Sequence, residues 1–112
     1  MDSKWAAFDL ADIGERRRQA GDDPWLEFLR VPSLYAGLYV LPAGAADPQT
    51  PHEEDEVYHV IRGRARFTVD GEEMAVKAGA VLYVAARVEH RFHAIEEDLE
   101  VLVFFSRCSG KA

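Results

Sequence analysis

From Trp25 onward the chain is built of apolar runs four to eight residues long, closed by Gly, Pro or acidic turn residues. Runs this short and this often interrupted do not sustain a helix, and several alternate at period two, so they read as strands. Strands are expected over 26–31, 34–41, 56–62, 65–70, 73–77, 81–84, 90–95 and 99–106. The sharpest boundary is "VDGEE", where Asp70-Gly71 separates two alternating runs. That pair is a hairpin signal, because Gly takes the positive φ such turns need. Pro42, Gly63 and Gly79 mark further corners. Eight short strands in about 85 residues, with no helix between them, predict an all-β antiparallel sandwich or jelly-roll barrel.

Ahead of this body lies a short helical arm. Asp9 is placed to cap a helix over 10–20, with Asp12 at capping-box spacing and Gly21 as the stop. Leu10, Ile13 and Arg17 give that helix only a thin apolar stripe, so Trp5 and Phe8 are expected to anchor it on the body. Arg16, Arg17 and Arg18 read as its solvated face. The expected organisation is a helical arm over 1–25, a β-barrel domain over 26–107 and a tail over 108–112.

Charge narrows the function classes. The 112 residues carry a formal net charge of −7, which argues against a nucleic-acid partner, since such domains present a basic patch. No apolar run approaches the roughly 18 residues that a membrane-crossing helix needs, and no membrane partner is expected. The mixed N-terminus "MDSKWAAFDLAD" does not read as a secretory signal, and the single Cys108 has no partner for an internal disulfide. Both fit a cytoplasmic protein.

The chemistry concentrates at "TPHEEDEVYHVIRG", residues 50–63. At period two, Glu56, Tyr58 and Val60 share one strand face, while Val57, His59 and Ile61 share the other. If the first face is the inner one, Glu56 is a buried carboxylate, and a buried charge requires a cation or several hydrogen bonds. His52, four residues earlier, is able to stand over the same cavity, and "VEHRFHAI" supplies His90 and Phe92 on one face. Two imidazoles and a carboxylate make a metal site by ligand type, suited to Fe, Mn, Ni, Co or Zn.

"PHEEDEVYHVIRG" and "GAVLYVAARVEHRFHA" together resemble the two motifs of the cupin superfamily, across roughly residues 34–106. The first motif of that family runs Gly-x5-His-x-His-x(3 or 4)-Glu-x6-Gly, matched here by Gly44, His52, Glu56 and Gly63. The second runs Gly-x5-Pro-x-Gly-x2-His-x3-Asn, matched by Gly79 and His90. Thr50 stands where the first motif histidine belongs, and Ala85, Arg87 and Ala94 replace the Pro, Gly and Asn. The resemblance implies a jelly-roll cupin barrel holding one divalent transition metal per chain on His52, Glu56 and His90. Gln49, Thr50 or water would complete the shell, with Asp47 a further oxygen donor.

Other residues are placed by parity. Tyr58 is the candidate for proton transfer or substrate orientation, and Tyr39, Tyr83, Phe92 and Arg87 are candidates for contacting a small-molecule ligand. Arg62, Arg64 and Arg66 face inward only if Gly63 introduces no bulge. Glu53, Glu54 and Asp55 are expected to face solvent. If the motif strands pair with Glu56 near His90, His59 lies near Arg87 and His93 near Glu53, which keeps these histidines from forming a second site. His59 then suits an outer-face contact in a homodimer. The expected function is a metal-dependent oxygenase, isomerase or lyase acting on a small polar molecule. A sugar- or small-molecule-binding module and metal-free epimerase-type chemistry in the same cavity remain alternatives.

Overall fold

The computed structural model describes residues 4–48 and 51–107. Gln49, Thr50, Cys108 and the tail lie outside the described residues. The order of elements is α1 (Leu10–Gln19), β1 (Trp25–Val31), β2 (Leu34–Leu41), β3 (Glu56–Val69), β4 (Glu72–Lys77), β5 (Val81–Val84) and β6 (His90–Ser106). All strand pairs are antiparallel, in the order β1-β2-β6-β3-β4, with β5 on β3. The fold is the expected jelly roll.

Two of the expected boundaries between strands are bends within strands. The runs 56–62 and 65–70 form one 14-residue strand, and 90–95 and 99–106 form one 17-residue strand. The β3–β6 register slips between Val60 and Arg62, between Arg62 and Arg64, and between Arg64 and Arg66. At this bulge the buried parity of β3 changes from Glu56, Tyr58 and Val60 to Ala65 and Phe67. Strand β6 changes likewise, from His90 and Phe92 to Leu99, Val101, Val103 and Phe105. The single hydrogen-bonded sheet therefore doubles back as two walls. One holds β1, β2, β5, the first half of β3 and the second half of β6; the other holds β4 and the remaining halves.

The bulge also decides the arginines. Arg62, Arg64 and Arg66 point outward and pair with Glu100, Glu96 and Glu73. Gly63 makes this possible: at φ +97 it takes a conformation that side chains rarely adopt, and a Cβ there would overlap the Asp98 carbonyl.

Helix α1 is capped by the Asp9 carboxylate, which accepts from the Ala11 and Asp12 amides. Its anchors differ from those expected. Ile13 is its buried residue, and Phe8 packs edge-to-face on Phe28 with ring centroids 5.0 Å apart. Trp5 is 78% exposed and anchors nothing. A stripe of one buried residue explains why the arm leans on the outer face of β1 and β2 instead of entering the core.

Three non-glycine residues have positive φ: Asp70 (+51), Arg87 (+66) and Ala94 (+48). Arg87 and Ala94 stand where the resembling motif has Gly and Asn, the residue types that accept this conformation most readily. The backbone has kept the motif's geometry while the side chains have not. Thermal denaturation should therefore separate three variants. Arg87→Gly and Ala94→Asn should each stabilise by about 0.5–1 kcal/mol, while Gly63→Ala should destabilise by about 3 kcal/mol or more.

Candidate metal centre

Glu56 opens β3 on the inner face of the first wall, in register with Val84 and Phe105. His90 opens β6 on the inner face of the second wall, in register with Val69. These two residues are not ladder neighbours. They meet because the bends fold one wall over the other, and His90 Nε2 then lies 2.8 Å from Glu56 Oε1. His52 comes from the preceding loop, with Nε2 3.9 Å from the same carboxylate oxygen. The three ligand-type atoms lie within 4.8 Å of one another. The His52 ring also packs against His90 and Phe105.

The pairing of β3 with β6 is as expected, but its register is not. His59 sits opposite Leu102 and Val81, not near Arg87. His93 sits opposite Arg66, with Nε2 2.8 Å from Thr68 Oγ1, far along the strand from Glu53. The two histidines remain apart, for a different geometric reason.

The hydrogen bonding of the centre fits a cation. Both carboxylate and imidazole are buried, yet Glu56 Oε2 and His90 Nε2 have no hydrogen-bond partner. The other imidazole nitrogen, His90 Nδ1, lies 2.9 Å from the Val88 carbonyl oxygen and donates to it. In the neutral ring this leaves a bare lone pair on Nε2, aimed at a carboxylate. Such an arrangement requires either a proton on Nε2 or a metal ion shared by the two groups. In the metal-free chain the proton is favoured. Burial works against the charged ring, but Glu56, the Val88 carbonyl and the charge of Asp47 outweigh it, and the His90 pKa is raised above 6.5.

The acids of the loop are tied down, contrary to the expectation that they simply face solvent. Asp55 Oδ1 accepts from the Ala86 amide, and the Asp55 amide donates to Ser106 Oγ. Glu53 pairs with Arg87, whose own amide donates to the His52 carbonyl at 2.6 Å. Glu54 hydrogen-bonds Tyr35, and burial together with that carboxylate pushes the Tyr35 hydroxyl up to about 12. The crowded acids thus clamp the His52 loop to the β5–β6 turn and to β2.

Beside the three residues opens a cavity of about 260 Å³, lined by Trp25, Tyr35, Tyr39, His52, Glu56, Tyr58, Val103 and Phe105. Gly37 gives the Trp25 indole room to lie across β2, since a Cβ there would overlap the ring. Of the expected ligand contacts, Tyr39 and Tyr58 line this cavity. Phe92 is buried behind it, packed on Tyr58 and Phe67. Tyr83 does not reach it: its side chain lies on the outer face, 65% exposed, because its strand partner is Val57. Arg87 is at the rim and engaged by Glu53. Asp47 is no direct neighbour of the metal residues in the hydrogen-bond pattern; its carboxylate accepts from Tyr39 Oη and the Phe92 amide. Sequence parity missed Trp25, Tyr35 and Phe105, whose apolar character is equally that of ordinary core.

A cupin-domain family profile matches residues 37–105. The chain belongs to the cupin family. It is 51% identical over 100 residues to an uncharacterized protein of Streptomyces coelicolor, covering 89% of this chain and 94% of that one. An RmlC-like cupin of Methanocaldococcus jannaschii superposes with a TM-score of 0.70 at 22% identity, covering 95% of this chain and 92% of the other. The lyase DddQ of Ruegeria pomeroyi, which acts on DMSP, gives a TM-score of 0.68 at 20% identity. That match covers 80% of this cupin, which spans only half of the lyase chain. Likeness at such identity is likeness of fold. None of the described helices is long and apolar enough to cross a membrane.

The raised His90 pKa sets a pH dependence. A group with a raised folded pKa contributes stability below its unfolded value near 6.5, and that contribution is lost as the pH rises through the higher folded value. A divalent cation competes with the same proton. Zinc titrations between about pH 5.5 and about pH 8.5 should therefore show affinity rising with pH, with about one proton released per ion in the acid range. Affinity independent of pH would count against His90 as a ligand.

Proposed function

We propose that this cupin is a small metal-dependent enzyme in which His52, Glu56 and His90 hold one divalent transition metal at the floor of the aromatic cavity. The observation that carries the reading is the buried Glu56 carboxylate, with an unpartnered oxygen beside the unpartnered Nε2 of His90. Bound there, a metal would supply Lewis-acid or dioxygen chemistry. The chain's own part is to bind and orient. Trp25, Tyr35, Tyr39, Tyr58 and Phe105 make an apolar enclosure, so the small-molecule ligand has a flat apolar body and directs its polar group to the metal residues. Tyr58 lines this floor and is the candidate for proton transfer or orientation. Oxygenation, isomerisation and lyase reactions all suit such a site, and the occurrence of this fold in a lyase supports that range.

A metal-free reading rests on the same pair. With Nδ1 fixed by Val88 and Nε2 against Glu56, His90 has the tautomer and partner of a general acid–base. Metal content decides between the two. Protein purified without a histidine tag should contain about one Fe, Mn, Ni, Co or Zn per chain by inductively coupled plasma mass spectrometry. His52→Ala, Glu56→Ala and His90→Ala should each lose it. A wild type that takes up none of these ions would leave the acid–base reading.

The outer face of the first wall supports a homodimer. Val57, His59, Ile61, Val81, Tyr83, Leu102 and Phe104 share it without a carboxylate, although the chain as a whole is acidic. Two copies can therefore meet there without like charges in contact, and Val81 and Tyr83 are the most exposed residues of the patch. Light scattering coupled to size exclusion should show a dimer for the wild type and a monomer for Val81→Glu/Tyr83→Glu. A monomeric wild type would end this part of the reading.

A further inference from the structure

The cavity wall contains one hydroxyl whose hydrogen-bonding role is already decided. Tyr39 Oη donates its only proton to Asp47 Oδ1 at 2.6 Å. The acceptor cannot readily turn away, because the same carboxylate takes the Phe92 amide on Oδ2 at 2.9 Å and is itself buried. Asp47 thus bridges the two walls, tying β2 to the start of β6 two residues beyond His90. A neutral phenol has one proton and two lone pairs. With the proton committed, whatever else approaches Tyr39 Oη has to bring a proton of its own. Burial and the Asp47 carboxylate also hold the Tyr39 pKa well above its ordinary value, so the hydroxyl stays neutral.

The remaining wall is hydrocarbon and aromatic, and no lysine or arginine is among its residues. The guanidinium nearest the mouth, Arg30, lies over the Tyr35 ring and is held by Glu27 through two hydrogen bonds of 2.7 and 2.6 Å. The side chains of the wall therefore offer flat apolar surface and an acceptor, and no cation.

From this arrangement we propose that Tyr39, positioned by Asp47, selects small aromatic ligands whose polar substituent is a hydrogen-bond donor, such as phenols and aromatic amines. The proposal rests on the aromatic cavity being the ligand site, and it adds the chemistry by which that site chooses. Tyr39 is the contact residue. Asp47 is a positioning residue that acts through it. An asparagine in its place has one acceptor oxygen to share between Tyr39 and the Phe92 amide, so it would release the tyrosine hydroxyl to turn.

The test compares phenol with fluorobenzene, which has nearly the same shape and no donor, by chemical-shift titration. It is done on wild type, Tyr39→Phe and Asp47→Asn, each metal-free and zinc-loaded. The ratio of the two affinities, compared between variants, cancels the ligands' own hydration. The preference for phenol should fall about tenfold in Tyr39→Phe and by a smaller factor in Asp47→Asn. It should do so with and without zinc, which separates the effect from phenolate binding to the metal. An unchanged preference in Tyr39→Phe would overturn the proposal while leaving the cavity as a ligand site. A fall in Tyr39→Phe with none in Asp47→Asn would overturn the role of Asp47. Binding of neither compound to the wild type would overturn the proposal together with the cavity reading it rests on.

Discussion

The centre exists because one continuous sheet turns back on itself. A flat β3–β6 ladder would place Glu56 beside Phe105 and His90 beside Val69, at opposite ends of the pair. The bulge at Gly63 and the bend in β6 between Ala94 and Leu99 fold the ends together, so residues distant along the ladder face each other across the core. Gly63 is indispensable to this turn, as its Cα packs directly under the Asp98 carbonyl of the partner strand. The aromatic packing of Tyr58, Phe67 and Phe92 then fills the angle between the walls. Burial of such large rings is the main favourable term that holds the doubled sheet closed.

Against that apolar background, a carboxylate and an imidazole on the floor are costly unless satisfied. The chain satisfies half of the need by itself. Val88 takes one imidazole proton, and Asp47 receives the Phe92 amide and the Tyr39 hydroxyl. Glu56 Oε2 and His90 Nε2 are left over. The contrast between a fully bonded Asp47 and an under-bonded Glu56, both buried, is what separates a structural acid from a candidate ligand.

The acidic loop shows how local charge and tertiary contact divide their labour. Glu53, Glu54 and Asp55 look like a solvated cluster when only the chain order is known. In the fold each finds a different partner, namely Arg87, Tyr35 and the Ala86 amide. They hold the His52 loop against two other elements. Arg87 contributes through its backbone as well, in a left-handed conformation where the side chain brings strain but the amide meets the His52 carbonyl.

Alternation and turn chemistry by themselves determined the β class, the hairpin at Asp70-Gly71, the cap at Asp9 and the inward parity of Glu56, Tyr58 and His90. The spacing of Gly44, His52, Glu56, Gly63, Gly79 and His90 determined the family. These are local or periodic properties, and side chains two apart on a strand share a face wherever the strand goes. Tertiary structure decided the rest. It turned Arg62, Arg64 and Arg66 outward, put Tyr83 on the outer face, buried Phe92 behind the cavity, and gathered Trp25, Tyr35 and Phe105 into its wall. The reason is the same in each case: one extra residue at a bulge reverses the facing of everything after it. Which of two apolar faces becomes a cavity depends on the wall that closes over it, and that wall comes from another part of the chain.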